Sequence, residues 1–255
     1  MKRPLRIALL LVVLAFVALG TWTERLRLAS WDDPVWVAVY PVRADGDRVA
    51  DYIERLEARH FEVIGDHLAR EAARHGIAAE RPFALKLAPP VDARPPAPPA
   101  DGGLLANALW SLRIRWWAWR HDTYDGPEEI RLFVEYHDPA RRQRLAHSVG
   151  LEKARVGIVN AWGDRRYRGR NRVVIAHELL HTVGASDKYE RETGQPVHPE
   201  GYADPDRRPL HPQERAELMG GRIPLGPERS RMPRSLAETR IGPTTAAEIG
   251  WRERR

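Results

Sequence analysis

The stretch His177-Glu178-Leu179-Leu180-His181-Thr182-Val183-Gly184-Ala185-Ser186-Asp187 decides how this chain is interpreted. Residues four apart lie on one face of a helix, so His177 and His181 can hold one metal ion between them. Glu178 follows about 100° further round the helix, where it can reach a water on the open position of the metal without being a ligand. After a turn at Gly184, Asp187 can return as the third protein ligand. The spacing therefore predicts a catalytic zinc site with a glutamate base.

The residues before this stretch support a buried helix. Apolar side chains recur at helical spacing, and this stripe seats the helix on a core with the histidines beside it. The stripe consists of Val173, Ala176, Leu180 and Val183. Asn171 is the predicted N-cap, because its short side chain can accept a hydrogen bond from the first turn.

The stretch from His177 to Asp187 resembles the zincin metalloprotease signature, in the HExxHxxGxxD form of the snapalysin-like secreted bacterial proteases. The resemblance implies a zincin-like fold, Zn²⁺ held by His177, His181 and Asp187, and Glu178 as the catalytic base. Metzincins also place a methionine turn beneath the metal, and Met219 matches that position. No tyrosine lies two residues after Met219, so the group that stabilises the oxyanion is left open. Should Asp187 lie away from the histidines, Glu214 or Glu217 becomes the candidate third ligand, as in the gluzincins, and His198 is a weaker substitute.

Two further expectations come from resemblance. In zincins the strand before the metal helix forms the sheet edge that pairs with extended substrate, which implies that role for Val156, Gly157, Ile158, Val159 and Asn160. The alternative is simply another strand of the sheet. The longer string from His177 to Tyr189, together with 199–203 and 216–224, resembles a family of uncharacterised proteobacterial membrane-linked proteins.

The pattern along the chain predicts an α+β fold in one zincin-like domain, residues 30–255. We expect a mixed twisted sheet, packed on a long helix and on the metal helix, and a loop-rich C-terminal part. The predicted strands are 35–40, 83–87, 130–136 and 156–161. The long helix is expected from about 47 to a stop at Gly76, with a phase slip near His60, and a short helix within 241–251. The proline-rich segment 89–99 excludes regular hydrogen-bonded structure and indicates a loop or a spacer.

A fourth helix is predicted from Asp101 to His121, and its apolar stripe has two interpretations. The stripe consists of Leu105, Leu109, Leu112, Trp116 and Trp119. Tryptophans at helical spacing usually pack in a core, which is the interpretation we favour, but a helix rich in arginine and tryptophan can also lie on a membrane surface.

The N-terminus predicts export. Lys2, Arg3 and Arg6 precede an unbroken apolar run from Ile7 to Leu19, so residues 1–22 read as a signal peptide or an uncleaved signal anchor. Either one predicts a periplasmic or secreted protein, or one anchored in the inner membrane and facing the periplasm. The absence of cysteine excludes disulfides and thiolate ligands.

Charge excludes one class of partner. The formal net charge is +6, and the three basic residues at the N-terminus supply half of it, so nucleic-acid binding is not expected. Five arginines lie between Arg165 and Arg172. Such a run is usually a solvated loop, although it can also recruit an anionic partner.

The sequence thus predicts a zinc-dependent peptidase with a peptide or protein substrate, tethered to or near a membrane through its N-terminal segment. A first alternative is a zinc amide hydrolase that acts on cell-wall material, because the motif specifies the attacking group and not the acyl donor. A second is a membrane-tethered binding module with an inert zinc site. Glu178 discriminates between enzyme and module, because a structural site needs no base beside its ligands. The oligomeric state is not encoded in these patterns.

Overall fold

The computed structural model describes residues 31–99 and 103–252, so the segment 1–22 predicted as a signal peptide or anchor lies outside the described residues. The strands are β1 (Val35–Arg43), β2 (Phe83–Leu87), β3 (Ile130–His137), β4 (Val149–Leu151), β5 (Val156–Trp162), β6 (Ala216–Glu217), β7 (Ile223–Gly226), β8 (Arg229–Arg231) and β9 (Thr239–Arg240). The helices are α1 (Asp47–Glu54), α2 (Arg59–Arg74), α3 (Leu104–Arg120), α4 (Arg168–His181) and α5 (Pro243–Glu248). Within these described ranges, no helix is both long and apolar enough to cross a membrane.

The main sheet has five strands in the order β2-β1-β3-β5-β4. The first four strands are mutually parallel, and β4 runs antiparallel to β5. Strands β1 and β3 lie in the middle and are buried along most of their length, as expected for parallel strands with helices on both faces. This mixed sheet with its helices is consistent with the predicted α+β class.

Strand β5 is not the edge of the sheet, which corrects the prediction for Val156, Gly157, Ile158, Val159 and Asn160. These residues pair with β3 on one side, and the first three also pair with β4 on the other. The edge is β4, which has only three residues and follows a loop. A strand this short has no readable alternation, so the sequence pattern assigned the edge to its longer neighbour.

Two apolar cores lie on opposite faces of the sheet. On one face α1, α2 and α4 pack on alternate residues of β1 and β3, with Ile64, Leu68 and Leu179 fully buried. On the other face α3 packs on Tyr40 and Phe133. Helix α4 therefore lies with α2 on one side, and α3 is the one helix of the described residues on the other.

The long helix is broken where the periodicity slips. Helix α1 ends at Glu54 and α2 begins at Arg59, and Gly76 with φ of 85° follows the end of α2. Helix α4 begins at Arg168, earlier than predicted, so Asn171 lies inside the helix and is not its cap. The Asn171 amide instead binds both backbone groups of Trp162, at 2.8 and 3.1 Å. The arginine run is accordingly a 3-10 turn and the start of α4, and not a loop.

The core-packing prediction for the α3 stripe is wrong. Its five residues are 59–82% exposed, whereas Ile114, Trp117 and Ala118 on the opposite side of the helix are buried against the sheet. Both sides of α3 are apolar, so periodicity gave the helix correctly but not the side that faces the sheet.

The proline-rich segment 89–99 runs along the protein as an irregular strap. Val91 forms an isolated bridge to Val42, and the carbonyl of Pro96 accepts a hydrogen bond from the Trp110 indole at 2.9 Å. The C-terminal part is rich in loops, as expected, and it holds the small pairs β6-β9 and β7-β8. It closes on the start of the described chain, where the Trp31 indole donates to the Ile249 carbonyl at 3.1 Å.

Candidate metal centre

The end of α4 carries the motif. Ala176, Leu179 and Leu180 are fully buried and fix the helix on the core, while His177 remains 9% exposed. Gly184 follows the helix with φ of 103°, a left-handed conformation that favours glycine. The chain then reverses and returns towards the histidines.

Three side chains converge beyond this turn. The Nε2 atoms of His177 and His181 lie 3.1 Å apart. Oδ1 of Asp187 lies 3.2 Å from the first and 3.1 Å from the second. The structure therefore brings together the three residues that the spacing selects as ligands.

Backbone carbonyls fix the tautomer of both histidines. His177 Nδ1 lies 2.9 Å from the Leu218 carbonyl, and His181 Nδ1 lies 2.7 Å from the Ala185 carbonyl. A carbonyl only accepts hydrogen bonds, so Nδ1 carries the hydrogen, and in the neutral rings each Nε2 presents a lone pair. Two lone pairs and a carboxylate oxygen thus face one point, which is the donor set that zinc prefers.

Electrostatics agree with this arrangement. Burial lowers the pKa of His177, but the hydrogen bond with Asp187 and the charge of Glu178 outweigh burial and raise it above 6.5. Burial opposes ionisation of Asp187 too, yet both imidazoles hold its pKa well below the usual range. Both shifts favour positive charge at this point, where a cation would also be stabilised.

Glu178 stands beside this point with an unused oxygen. Its side chain is buried, and Oε2 has no hydrogen-bond partner among the described residues. Burial raises its pKa, and the two histidines offset part of that rise. Donor atoms of His177, Glu178 and His181 all lie within 4.8 Å of one another, so this group can hold a metal ion. Asp187 is not in that group, but its Oδ1 contacts both imidazoles.

Strand β4 lies directly against the metal helix. A Cβ on Gly150 would lie 2.4 Å from the His181 Cβ and 2.6 Å from the Glu178 carbonyl oxygen. The backbone N–H of Gly150 also faces the Glu178 carboxylate and favours its charged form. Only glycine permits this approach, so the edge strand and Glu178 are held at a fixed distance from each other.

The Asp187 loop is tied to α5. Lys188 donates to Glu248 at 2.6 Å, and the backbone N–H and hydroxyl of Ser186 donate to the same carboxylate at 3.0 and 2.7 Å. Sequence reasoning missed this support, because Glu248 lies 60 residues further along the chain. A buried lysine pairs with a carboxylate that is distant in sequence, and no local pattern encodes such a pair.

Met219 lies in the segment that braces the site. It is fully buried, its carbonyl accepts from the Lys188 N–H at 2.9 Å, and the preceding carbonyl of Leu218 binds His177. Glu217 shapes this turn by accepting from the N–H groups of Met219, Gly220 and Gly242 and from the Thr245 hydroxyl. Glu217 is thus committed to backbone support, and the exposed Glu214 pairs with Arg207, so neither replaces Asp187. His198 contacts the Pro205 carbonyl instead.

Tyr189 is the site residue that sequence reasoning missed. Its ring centroid lies 6.2 Å from that of His177. Burial first, and then the charge of Asp187 and a hydrogen bond to it, raise the pKa of Tyr189 to about 12, so its hydroxyl is protonated at neutral pH and donates to Asp187. Its position two residues after Asp187, on a loop that must return to the metal helix, was the available signal.

Comparison with known proteins finds likenesses among solved structures, although not among family models or curated sequences. No family model matches the chain, and no curated protein matches it. The fold is similar to the crystal structure of wild-type OgpA from Akkermansia muciniphila, with 16% sequence identity and a TM-score of 0.43. The match covers 84% of this chain and 59% of that one, so this chain spans less than two thirds of that protein.

Proposed function

We propose that this chain is a zinc-dependent peptidase with a zincin-like domain. The observation that carries the proposal is the convergence of His177 Nε2, His181 Nε2 and Asp187 Oδ1 within 3.2 Å, beside the unpartnered oxygen of Glu178. The histidine tautomers fixed by backbone carbonyls and the buried base are both needed for hydrolysis, whereas a structural zinc site has no use for the base.

Three residues would bind the metal, and two others would take part in the reaction. His177, His181 and Asp187 would hold zinc, which when bound supplies Lewis acidity and lowers the pKa of water from about 15.7 towards 7. Glu178 takes the proton of the attacking water and delivers it to the leaving amine. Burial suits this role, because it brings the pKa of the carboxylate closer to the working pH. Tyr189 is the candidate donor to the oxyanion.

Strand β4 is the candidate substrate-binding edge. It ends the sheet order, so the outer edge of Val149–Leu151 is available to an extended peptide, which would add as a further strand. Gly150 would then set the distance between the substrate backbone and Glu178. We also propose that the chain works in the periplasm or at the inner membrane, on the basis of its basic and apolar first residues.

The test compares two substitutions in the motif. Glu178→Gln is expected to keep bound zinc and the fold but to lose turnover of a peptide library, because the amide cannot take a proton. His181→Ala is expected to lose both zinc and turnover. Zinc content by elemental analysis, thermal unfolding and cleavage with and without chelator separate these results. Equal turnover by Glu178→Gln and the unchanged protein would refute the hydrolase and favour a binding module.

A further inference from the structure

Exposed apolar surface is concentrated on α3. Of the eight large apolar residues that are exposed in the described part of the chain, five lie on this helix. They are Leu105 (82%), Leu109 (68%), Leu112 (62%), Trp116 (59%) and Trp119 (68%). We name these five residues the outer stripe. Clustered exposure of this kind marks an interaction surface, whereas scattered single residues do not.

The outer stripe runs along the axis of α3 and faces away from the sheet. At about 100° per residue its members fall within an arc of about 80°, and it is about 21 Å long. The opposite side of α3 is anchored, because Trp117 packs edge-on against Phe133 with ring centroids 4.7 Å apart and Ile114 is fully buried. The helix cannot rotate to bury the stripe without losing that core.

Arginines flank the stripe on both sides. By the same helical geometry, Arg113 and Arg120 lie about 60–80° to one side of its centre and Arg115 about 80° to the other. All three are exposed, and α3 contains no aspartate or glutamate. A row of leucine and tryptophan between arginines matches a bilayer surface, where the rings sit at headgroup level and the guanidinium groups reach lipid phosphates.

We propose that the outer stripe of α3 inserts into the headgroup region of a bilayer that contains anionic lipids. A second copy of the chain fits less well. Two stripes packed together would bring the arginines of both copies to the same seam, and α3 offers no carboxylate to pair with them. The proposal is independent of the peptidase chemistry.

The absence of cysteine from the chain permits a site-specific test. Leu112→Cys on the outer stripe carries a polarity-sensitive fluorophore, and the full chain is reconstituted into vesicles of phosphatidylcholine with or without phosphatidylglycerol. Val63→Cys is the matched control, because Val63 is an exposed helical residue (39%) on α2, across the sheet from α3. We expect a blue shift and quenching by brominated lipid for the label at 112 in anionic vesicles, and neither for the label at 63.

Charge variants test the flanking arginines. Arg113→Gln with Arg120→Gln should lower the ratio of inserted to aqueous label at 112 by on the order of fivefold for each arginine. Arg55→Gln with Arg70→Gln, two exposed arginines on the other side of the sheet, should leave it unchanged. An aqueous label at 112 in anionic vesicles, with normal circular dichroism, would overturn the proposal. Equal insertion into pure phosphatidylcholine, or excimer formation by pyrene at 112 without lipid, would overturn it too.

Discussion

Replacing Gly150 with alanine should damage the active site through the edge strand. The added Cβ would lie 2.4 Å from the His181 Cβ, whereas ordinary contacts begin near 3.4 Å, so β4 and the metal helix must separate by about 1 Å. Overpacking of this kind costs about 1–3 kcal/mol of unfolding free energy. A displacement of about 1 Å between substrate and base lowers turnover by on the order of a hundredfold.

The assay measures three quantities on the same preparation. Thermal unfolding gives the stability loss, elemental analysis gives the zinc content, and peptide cleavage gives kcat/KM. We expect zinc to be retained, because His177 and His181 lie on the same helix and would move together, while kcat/KM falls. Gly226→Ala is the matched control, because its Cβ would meet nothing closer than 3.9 Å. Unchanged stability and a kcat/KM within about twofold of the original would refute the argument that β4 positions the base.

Three further results are expected. Tyr189→Phe should keep zinc and lower kcat by on the order of 10²–10³, as removal of an oxyanion donor does, and an unchanged kcat would exclude that role. Met219→Leu should bind zinc normally and lose under about 1.5 kcal/mol of stability, with the 40% exposed Met232→Leu as the neutral control. Zinc affinity should weaken as the pH falls, because protons compete for the imidazoles. The pKa of His177 is raised above 6.5, so weakening should begin above that pH, and a flat affinity between pH 8 and 6 in chelator competition would contradict it.

The folding stability of the metal-free protein should fall as the pH rises, whereas the zinc affinity should rise with pH. A raised pKa of His177 stabilises the folded state below about 6.5, and this stabilisation is lost as the pH rises through the folded value. The lowered pKa of Asp187 stabilises the folded state above about 3.8 and is lost as the pH falls further. This site therefore stabilises the folded apoprotein most between a pH of about 3.8 and a pH of about 6.5.

The motif could be predicted from the sequence because its chemistry depends on spacing along one helix. His177, Glu178 and His181 need only helical geometry, and Asp187 needs only the reversal at Gly184. The long strands were readable for a similar reason, since β2 spans the predicted 83–87 and β3 extends the predicted 130–136 by one residue.

What escaped prediction depends on contacts between distant segments. Asn171 is a residue type that often caps helices, but its side-chain amide instead hydrogen-bonds both backbone groups of Trp162 at the end of β5. Helix α3 has apolar residues on both sides, and only the packing of Trp117 on Phe133 selects the inner one. The pair Lys188 and Glu248 and the three-residue strand β4 leave no periodic trace in the sequence.

The support of Asp187 by Glu248 has a consequence for the order in which the protein matures. A ribosome delivers the histidines about seventy residues before the carboxylate that steadies their partner loop, and the Ile249 carbonyl that receives Trp31 comes later still. A nascent chain, or one cut short within α5, would hold the motif without its bracing. We therefore expect tight metal binding to depend on the completion of α5.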